Sequence, residues 1–278
     1  MIKTLKENTL GRDFVVGDLH GMYFLLEEFL DYIEFMPQED RMISVGDLVD
    51  RGPWNVQCLQ LLAEPWFHAV LGNHEEMMVD YLLNGPYGIG AYWHHNGGGW
   101  FQELSKEDKE YVYSILDKVK DLPWLITVEG PRKFHVLHAE LRALRGCEIR
   151  DSDLEDEVRF TRHAKALMGD GEACLWGREL WGTLYGQFLD ERKVGKLQRA
   201  YMMKPSYFNE DLSHIYSGHI TLRQPTTIGG QTDLDTGAFR IDRYDDKWAG
   251  LTFTEPVTGK FWTVKKDGVH SVEPLIIV

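Results

Sequence analysis

Three short motifs, each placed directly after an apolar run, constrain this chain more than any other feature. They read Gly-Asp-Leu-His-Gly at 17–21, Gly-Asp-Leu-Val-Asp-Arg-Gly at 46–52 and Gly-Asn-His-Glu at 72–75. The apolar runs before them, at 14–16, 42–45 and 69–71, predict buried strands, and a helical pattern follows each motif. The motifs recur at about the length of a strand-helix-strand unit, roughly 30 residues. The sequence therefore predicts an α/β fold with parallel strands.

Polar side chains stand where each of these strands ends. Because parallel strands place their carboxyl ends at one sheet edge, Asp18, His20, Asp47 and Asn73 should converge there. Asp18 and His20 are two residues apart, so in extended backbone their side chains point the same way and can reach one ion. Asp47 could bridge two ions with its two oxygens, and Asn73 offers a neutral oxygen. We expect a metal site at this edge.

Two later histidines extend the candidate ligand set. His138 follows a strand predicted at 134–137, and His219 follows one predicted at 213–217. Mixed carboxylate and imidazole ligands suit Mn²⁺, Fe or Zn²⁺ and disfavour Cu(I) or iron–sulfur clusters. Two such ions about 3.5–4 Å apart are the usual clamp for displacement at phosphorus, where a bridging hydroxide attacks and the ions neutralise substrate oxygens. The sequence thus predicts a two-metal hydrolase.

A proton donor for the leaving oxygen is available beside the ligands. His74 is adjacent to Asn73 and can act as the general acid, with Asp50 orienting its imidazole. Arg51 follows directly, and its planar guanidinium can bind two phosphoryl oxygens at once. The competing interpretation of Asp50 and Arg51 is a local ion pair within the loop.

Composition excludes several classes of protein. The 278 residues carry a net charge of −14, which repels a phosphate backbone and argues against nucleic-acid binding. Bound cations would still admit an anionic substrate. No apolar run approaches the roughly 20 residues that cross a bilayer, so no membrane association is expected. Three scattered cysteines, Cys58, Cys147 and Cys174, indicate a reducing compartment, and we expect a cytoplasmic protein.

The rest of the chain divides into less informative parts. A loop at 84–100 is rich in glycine and aromatic residues and could form a lip over the site. Ser105 and the acids after it predict a helix N-cap, with the helix ending near Lys120. We expect a catalytic domain at 1–243 with an insertion of unknown role at 142–170. The tail at 244–278 predicts a C-terminal β-hairpin that covers a sheet edge.

The three motifs resemble the phosphoprotein phosphatase family of the metallophosphoesterase superfamily. That family's signature is G-D-x-H-G, G-D-x-x-D-R-G and G-N-H-E, which this chain matches without a mismatch. The similarity is greatest to the bacteriophage lambda and bacterial serine/threonine type, notably at 43–80 and at 96–101. Further landmarks of the family fit at 138–139, 176–178, 218–219 and 235–238. The resemblance covers about 14–238.

The resemblance implies a four-layer αββα sandwich of the calcineurin-like type and a pair of divalent metal ions, Mn²⁺ first, with Fe or Zn²⁺ as alternatives. One ion would be held by Asp18, His20 and Asp47, and the other by Asp47, Asn73, His138 and His219. His74 would be the acid, supported by Asp50. Arg51, Arg178 and Asn73 would bind the substrate phosphate.

Three functions remain open from the sequence. The first is a metal-dependent phosphoprotein phosphatase acting on phosphoserine and phosphothreonine, with phosphotyrosine as a further candidate. The second is a hydrolase of bis-nucleoside polyphosphates such as diadenosine tetraphosphate. The third is a non-catalytic metal-binding regulatory module. Ile220 stands where the family usually has threonine, and the 142–170 stretch and the tail are longer than in the lambda type, so substrate choice and oligomeric state stay open.

Overall fold

The computed structural model describes residues 2–141, 148–164, 173–178, 180–181, 211–241 and 246–277. Two β-sheets form the centre of this part of the chain. The strands, in chain order, are β1 (Ile2–Leu5), β2 (Asp13–Val16), β3 (Arg41–Ser44), β4 (Phe67–Ala69), β5 (Leu125–Val128), β6 (Phe134–Val136), β7 (His214–Ser217), β8 (Thr226–Ile228), β9 (Gln231–Asp233), β10 (Leu251–Glu255), β11 (Lys260–Lys265), β12 (Gly268–Val272) and β13 (Leu275–Ile276).

Helices flank the sheets on their outer faces. They are α1 (Tyr23–Tyr32), α2 (Asn55–Gln60), α3 (Asn73–Asn84), α4 (Trp100–Glu103), α5 (Lys106–Lys120), α6 (Asp151–Leu154), α7 (Glu157–Ala164) and α8 (Ala173–Trp176). Every helix in the described ranges is too short or too polar to serve as a membrane span.

The two sheets pack face to face. One has the strand order β1-β5-β6-β7-β9-β8-β13, and the other β12-β11-β10-β2-β3-β4. Between them lies a buried apolar cluster to which Val15 and Ile43 contribute from one sheet and Ile126 and Val136 from the other. Since alternate residues of a strand face opposite sides, the remaining apolar residues of each strand are left to contact helices.

The outer faces complete the four layers. On the second sheet, Phe29 of α1 stacks on Phe253 of β10, with ring centroids 3.8 Å apart. Full burial of such a side chain contributes about 1.5–3 kcal/mol. On the first sheet, Phe160 of α7 and Leu175 of α8 pack in one cluster with Ile215 of β7. The expected αββα sandwich is confirmed.

Parallel pairing brings the functional strand ends together. Strands β2, β3 and β4 are parallel neighbours, as are β6, β7 and β9 in the other sheet. The third predicted strand, at 69–71, is displaced, because β4 covers Phe67–Ala69. Leu71 leaves the ladder and donates its N–H to the carbonyl of Pro123 at 2.8 Å.

The C-terminal tail is tied to both sheets. The predicted hairpin is present as β10 and β11, whose connection contains Gly259 at φ +70°. β10 pairs antiparallel with β2, so the hairpin covers the edge that β2 would otherwise expose. A third strand, β12, extends the hairpin, and β13 pairs with β8 of the first sheet. The domain division at 243/244 remains a prediction.

The described part of the predicted insertion, 148–164, forms α6 and α7 against the first sheet. Asp151 anchors it, because its carboxylate accepts hydrogen bonds from Ser213 at 2.7 Å and lies 3.0 Å from Nε2 of His135. Although burial opposes the shift, these hydrogen bonds lower the pKa of Asp151 below its usual value. The stretches 142–147 and 165–170 of the insertion lie outside the described residues.

Candidate metal centre

The six candidate ligands meet where strands of both sheets end. Asp18 and His20 follow β2, Asp47 follows β3, and Asn73 opens α3 after β4. From the other sheet, His138 follows β6 and His219 follows β7. Five of these side chains are buried and that of His219 is half-buried. The convergence predicted from the strand pattern is therefore found.

Asp47 occupies the middle of the group. Its Oδ2 lies 3.5 Å from Nε2 of His20, and its Oδ1 lies 3.4 Å from Nε2 of His138. Two sets of possible ligand atoms, each within 4.8 Å of one another, share this carboxylate: one includes His20 and His74, the other His138 and His219. Asp47 thus presents one oxygen to each set, as a bridging carboxylate must.

Asn73 and Asp18 complete the two sets. The Oδ1 atom of Asn73 lies 2.8 Å from Nε2 of His138 and 2.9 Å from Nδ1 of His219. The carboxylate of Asp18 accepts the backbone N–H of His219 at 3.1 Å, and it lies 4.0 Å from Nε2 of His20. These contacts link the two sheets directly at their carboxyl edges.

The ring nitrogens show that a cation fits this site. Nδ1 of His20 donates to the carbonyl of Val49 at 2.9 Å, and Nδ1 of His138 donates to that of Val45 at 2.8 Å. In neutral rings, Nε2 then carries a lone pair. The Nε2 of His138 therefore faces the acceptor oxygens of Asn73 and Asp47. Acceptors gathered around one point, with two of the imidazoles, those of His20 and His138, oriented by backbone carbonyls, are typical of metal sites.

The histidine rings favour the neutral form that metal ligation requires. Burial lowers the pKa of His20, and the nearby Arg51 cation lowers it further. Burial likewise lowers the pKa of His138 and of His219. These rings can offer lone pairs without first losing a proton.

Carboxylates crowd the same space. Burial raises the pKa of Asp18, and the charges on Asp235 and Asp47 raise it further. Burial also raises the pKa of Asp235. Burial tends to raise the pKa of Asp47, whereas positive charge on the surrounding histidines, His138 first, lowers it when those rings are protonated, and the charge of Arg51 acts in the same direction. Buried carboxylates this close either take up protons or need positive charge between them, and a divalent cation would supply that charge.

His74 and Asp50 form a buried pair beside the ligands. Nδ1 of His74 donates to Oδ2 of Asp50 at 2.6 Å, and its Nε2 faces the cluster, 3.8 Å from Oδ2 of Asp47. Arg51 lies against the same face, with its guanidinium 2.9 Å from Nε2 of His74 and 2.6 Å from that of His20. The guanidinium also sits over the ring of Phe239 at 4.6 Å. The residues predicted for acid catalysis and phosphate binding are thus adjacent to the candidate ligands.

Unusual backbone conformations are concentrated here. Positive φ angles occur at five non-glycine residues of the centre: His20 (45°), Asp47 (49°), Asp50 (75°), Arg51 (72°) and His219 (76°). Such conformations cost of order 1–3 kcal/mol each and persist when the surroundings enforce them. Hydrogen bonds between the motifs do so: the N–H of His20 binds the carbonyl of Asp47 at 2.8 Å, and the N–H of Gly52 binds that of His20 at 3.0 Å.

Sequence reasoning assigned no role to Glu75, the last residue of the third motif. Its carboxylate accepts the backbone N–H groups of Asp47 and Leu48 at 2.8 Å, Val49 at 3.2 Å and Gly72 at 3.1 Å. Burial raises the pKa of Glu75 to about 8, and the charge on Asp47 adds to the shift. Glu75 therefore fixes the second motif to the third. The one sequence feature that could have drawn attention to Glu75 was its position as an acidic residue in the first turn of a predicted helix.

The loop predicted as a lip is also part of the centre. Trp93 donates its indole N–H to Asp50 at 3.0 Å, and Trp100 does so at 2.7 Å. The sequence showed aromatic residues beside glycines here but gave no pattern that pairs an indole with a distant carboxylate.

Arg178 lies two residues beyond the end of α8 and is exposed. Its neighbour Trp176 donates its indole N–H to Glu76 of α3 at 2.7 Å, which ties this end of α8 to the metal-centre side of the molecule. Burial is the main cause of the low pKa of His219, and the charges on His138 and Arg178 add to it. Arg178 is thus close enough to influence the centre, and its contact with phosphate remains a prediction.

The part of the chain that contains most of the candidate site is similar in sequence to known proteins. Residues 14–221 match the sequence profile of the calcineurin-like phosphoesterases. Serine/threonine-protein phosphatase 1 of Salmonella typhimurium is 40% identical over 226 residues, which cover 81% of this chain and 86% of that protein. Serine/threonine-protein phosphatase 2 of the same organism is 31% identical over 228 residues, covering 81% and 87%. A symmetrical bis(5'-nucleosyl)-tetraphosphatase of Haemophilus ducreyi is 36% identical over 185 residues, covering 64% and 60%.

Proposed function

Because the chain belongs to the calcineurin-like phosphoesterase family, we propose that it is a metal-dependent phosphatase of phosphoserine and phosphothreonine in proteins, with phosphotyrosine as a further substrate. One observation carries the proposal: a single carboxylate, Asp47, is shared by two sets of possible ligand atoms, and one of these sets includes His74, which is paired with Asp50. The relatives named serine/threonine-protein phosphatase support the choice of substrate.

The proposed ligands form two sets that share Asp47, and the second set combines residues from both sheets. Asp18, His20 and Asp47 would hold one divalent ion, and Asp47, Asn73, His138 and His219 the other. When bound, the ions supply an acidified water and positive charge on the phosphoryl oxygens. Mn²⁺ is the proposed metal, with Fe or Zn²⁺ as alternatives, because carboxylate, amide and imidazole ligands suit all three.

His74 would provide the proton in the reaction. A bond forms between water oxygen and phosphorus while the ester bond to the serine or threonine oxygen breaks. That leaving oxygen takes a proton from Nε2 of His74, whose Nδ1 remains bound to Asp50. The products are inorganic phosphate and the free hydroxyl group. A negative partner on Nδ1 stabilises the imidazolium from which the proton leaves.

Arg51 would position the phosphoryl group. Its guanidinium lies at hydrogen-bonding distance from the Nε2 atoms of both His20 and His74, so it already faces the space between acid and ligands. A planar guanidinium can hold two phosphoryl oxygens in parallel hydrogen bonds. Arg178 and Asn73 are proposed as further phosphate contacts.

The experiment that tests this function compares substrates on the Mn²⁺-loaded protein. A phosphoserine peptide and p-nitrophenyl phosphate should both be hydrolysed. The second candidate, cleavage of bis-nucleoside polyphosphates, is supported by the tetraphosphatase relative, so diadenosine tetraphosphate belongs in the same panel. Turnover of the dinucleotide with no turnover of the peptide would refute the protein-phosphatase proposal in favour of the second.

A non-catalytic metal-binding module is the remaining alternative. The buried His74–Asp50 pair argues against it, because a scaffold has no use for an oriented proton donor. Loaded protein that hydrolyses no phosphomonoester over a broad pH range would favour the module. Cytoplasmic residence stays part of the proposal, supported by the odd, scattered set of three cysteines in the sequence, which suits a reducing compartment.

A further inference from the structure

The carboxylate of Asp50 receives three N–H donors. Its Oδ2 accepts from Nδ1 of His74 at 2.6 Å, and its Oδ1 accepts from the indole of Trp100 at 2.7 Å. The indole of Trp93 reaches both oxygens, at 3.0 and 3.1 Å. Asp50 and Trp93 are fully buried. His74 therefore binds one oxygen of Asp50 and Trp100 the other, while Trp93 contacts both.

The two tryptophans come from one segment that packs against the catalytic loop. They flank three glycines at 97–99, and a Cβ on Gly97 would lie 2.9 Å from the backbone nitrogen of Arg51. Gly97 also has φ +118°, which other residues rarely adopt. A Cβ on Gly98 would lie 2.5 Å from the ring of Trp93. The glycines allow the close approach that puts both indoles within reach of Asp50.

We propose that Trp100, with Trp93, is a positioning residue for the acid step. Its indole holds Oδ1 of Asp50, which fixes the plane of the carboxylate and leaves Oδ2 directed at Nδ1 of His74. A fixed Oδ2 in turn keeps Nε2 of His74 directed toward the leaving oxygen. The inference rests on the proposed function, since it needs His74 to be a proton donor.

Trp100 is the residue to change, because Trp93 is part of the buried core. Trp100 is half-buried and lines a cleft of about 420 Å³ beside Arg51, so its ring could also contact substrate. Trp100→Phe keeps an aromatic ring but loses the N–H donor together with one ring of the indole, a loss of size that Trp66→Phe shares. Trp66→Phe is the matched control, since it removes an indole hydrogen bond to an exposed carboxylate, that of Glu64 at 3.1 Å.

The test uses the Mn²⁺-loaded full chain and two esters that differ in their need for an acid. Phenyl phosphate has a poor leaving group that needs a proton, and 2,4-dinitrophenyl phosphate has a good one that does not. Trp100→Phe should lower kcat for phenyl phosphate roughly 10-fold, a part of the 10²–10⁴ that an acid contributes. The kcat of Trp100→Phe for the dinitrophenyl ester, and its KM for each ester, should stay within about twofold of the wild-type values. For Trp66→Phe, kcat and KM for both esters should stay within the same limit.

A double variant separates positioning from a general structural effect. If Trp100 acts through His74, adding Trp100→Phe to His74→Asn should change kcat for phenyl phosphate by less than about twofold. The proposal would be overturned if Trp100→Phe lowered kcat equally for both esters or changed only KM. It would also be overturned if Trp100→Phe lowered kcat for phenyl phosphate by the same factor in the wild type and in His74→Asn. A wild-type protein inactive on both esters would instead refute the phosphatase function itself.

Discussion

Nδ1 of His74 lies 2.6 Å from Oδ2 of Asp50, and both side chains are buried behind the ligand cluster. The carboxylate can only accept, so Nδ1 carries the proton and Nε2 is the atom left to exchange one with substrate. His74 directly follows Asn73, a proposed ligand, at the start of α3. The proposed acid and one proposed ligand are therefore positioned by the same helical turn.

His74→Asn should abolish most turnover without removing metal. Asparagine cannot donate a proton as an acid, and none of the six proposed ligands is changed. We expect kcat on a phosphoserine peptide to fall by about 10²–10⁴. Steady-state kinetics, together with the metal content of the same preparation, check the result.

His270→Asn is the control, because this half-buried histidine is remote from the candidate ligands in sequence and pairs only with Asp267, at 2.8 Å, among the described contacts. It should leave both kinetics and metal content unchanged. Full turnover by His74→Asn would remove His74 as the acid. Loss of metal from that variant would indicate that His74 is itself a ligand.

Glu75→Gln should destabilise the fold near the centre. The carboxylate accepts N–H groups from Asp47, Leu48, Val49 and Gly72, whereas an amide has one acceptor oxygen and brings an N–H₂ group against donors. Leaving buried donors unsatisfied should cost roughly 1–3 kcal/mol in the free energy of unfolding. Urea denaturation above about pH 8, where the carboxylate of Glu75 is ionised, measures this loss.

The control for this change is Glu110→Gln on α5, where the carboxylate is exposed and lies 3.5 Å from Lys106. Its effect should be below about 0.5 kcal/mol. Equal stabilities of the Glu75 and Glu110 variants would contradict the bracing role of Glu75.

His214 should make stability fall in acid. Burial lowers its pKa to about 4 in the folded chain. The unfolded chain, with a pKa near 6.5, binds the proton first, so stability is fully present above about pH 6.5 and is lost as pH falls toward 4. The wild type should lose about 3 kcal/mol from this group over that range.

His214→Gln should show a flatter profile, since it cannot titrate. The free energies of unfolding of both proteins, measured in urea from pH 7 to 4, should therefore converge as the pH falls. Contributions from other groups are common to the two proteins and cancel in the difference. Parallel curves would show that His214 does not titrate below its usual range.

Much of the architecture could be predicted because local patterns decided it. Ser105 accepts the N–H of Asp108 at 3.0 Å and caps α5, which spans Lys106–Lys120 as its sequence predicts. The ligand cluster followed from the parallel strands, since their carboxyl ends share an edge whatever the loop details.

Contacts between distant segments could not be predicted. Glu75 braces a loop 26 to 28 positions earlier, and Trp100 reaches Asp50 across 50 positions. The spacing of apolar residues along the sequence does not predict such pairs. They depend on how glycines at positive φ bring loops together. The pairing of β10 with β2 also lay beyond pattern reasoning, since strand order within a sheet is a tertiary property.

The central claim is that strand ends from both sheets hold a pair of divalent cations that phosphate ester hydrolysis requires. The most direct test uses the protein after chelation and again after reloading with Mn²⁺. In each state, the metal content is measured by elemental analysis and the hydrolysis of p-nitrophenyl phosphate by its rate. The account predicts about two ions per chain, with activity lost on chelation and restored on reloading. His138→Ala should bind less metal than the wild type and should lose activity. Protein that binds no divalent ion, or that hydrolyses the ester equally well after chelation, would contradict it.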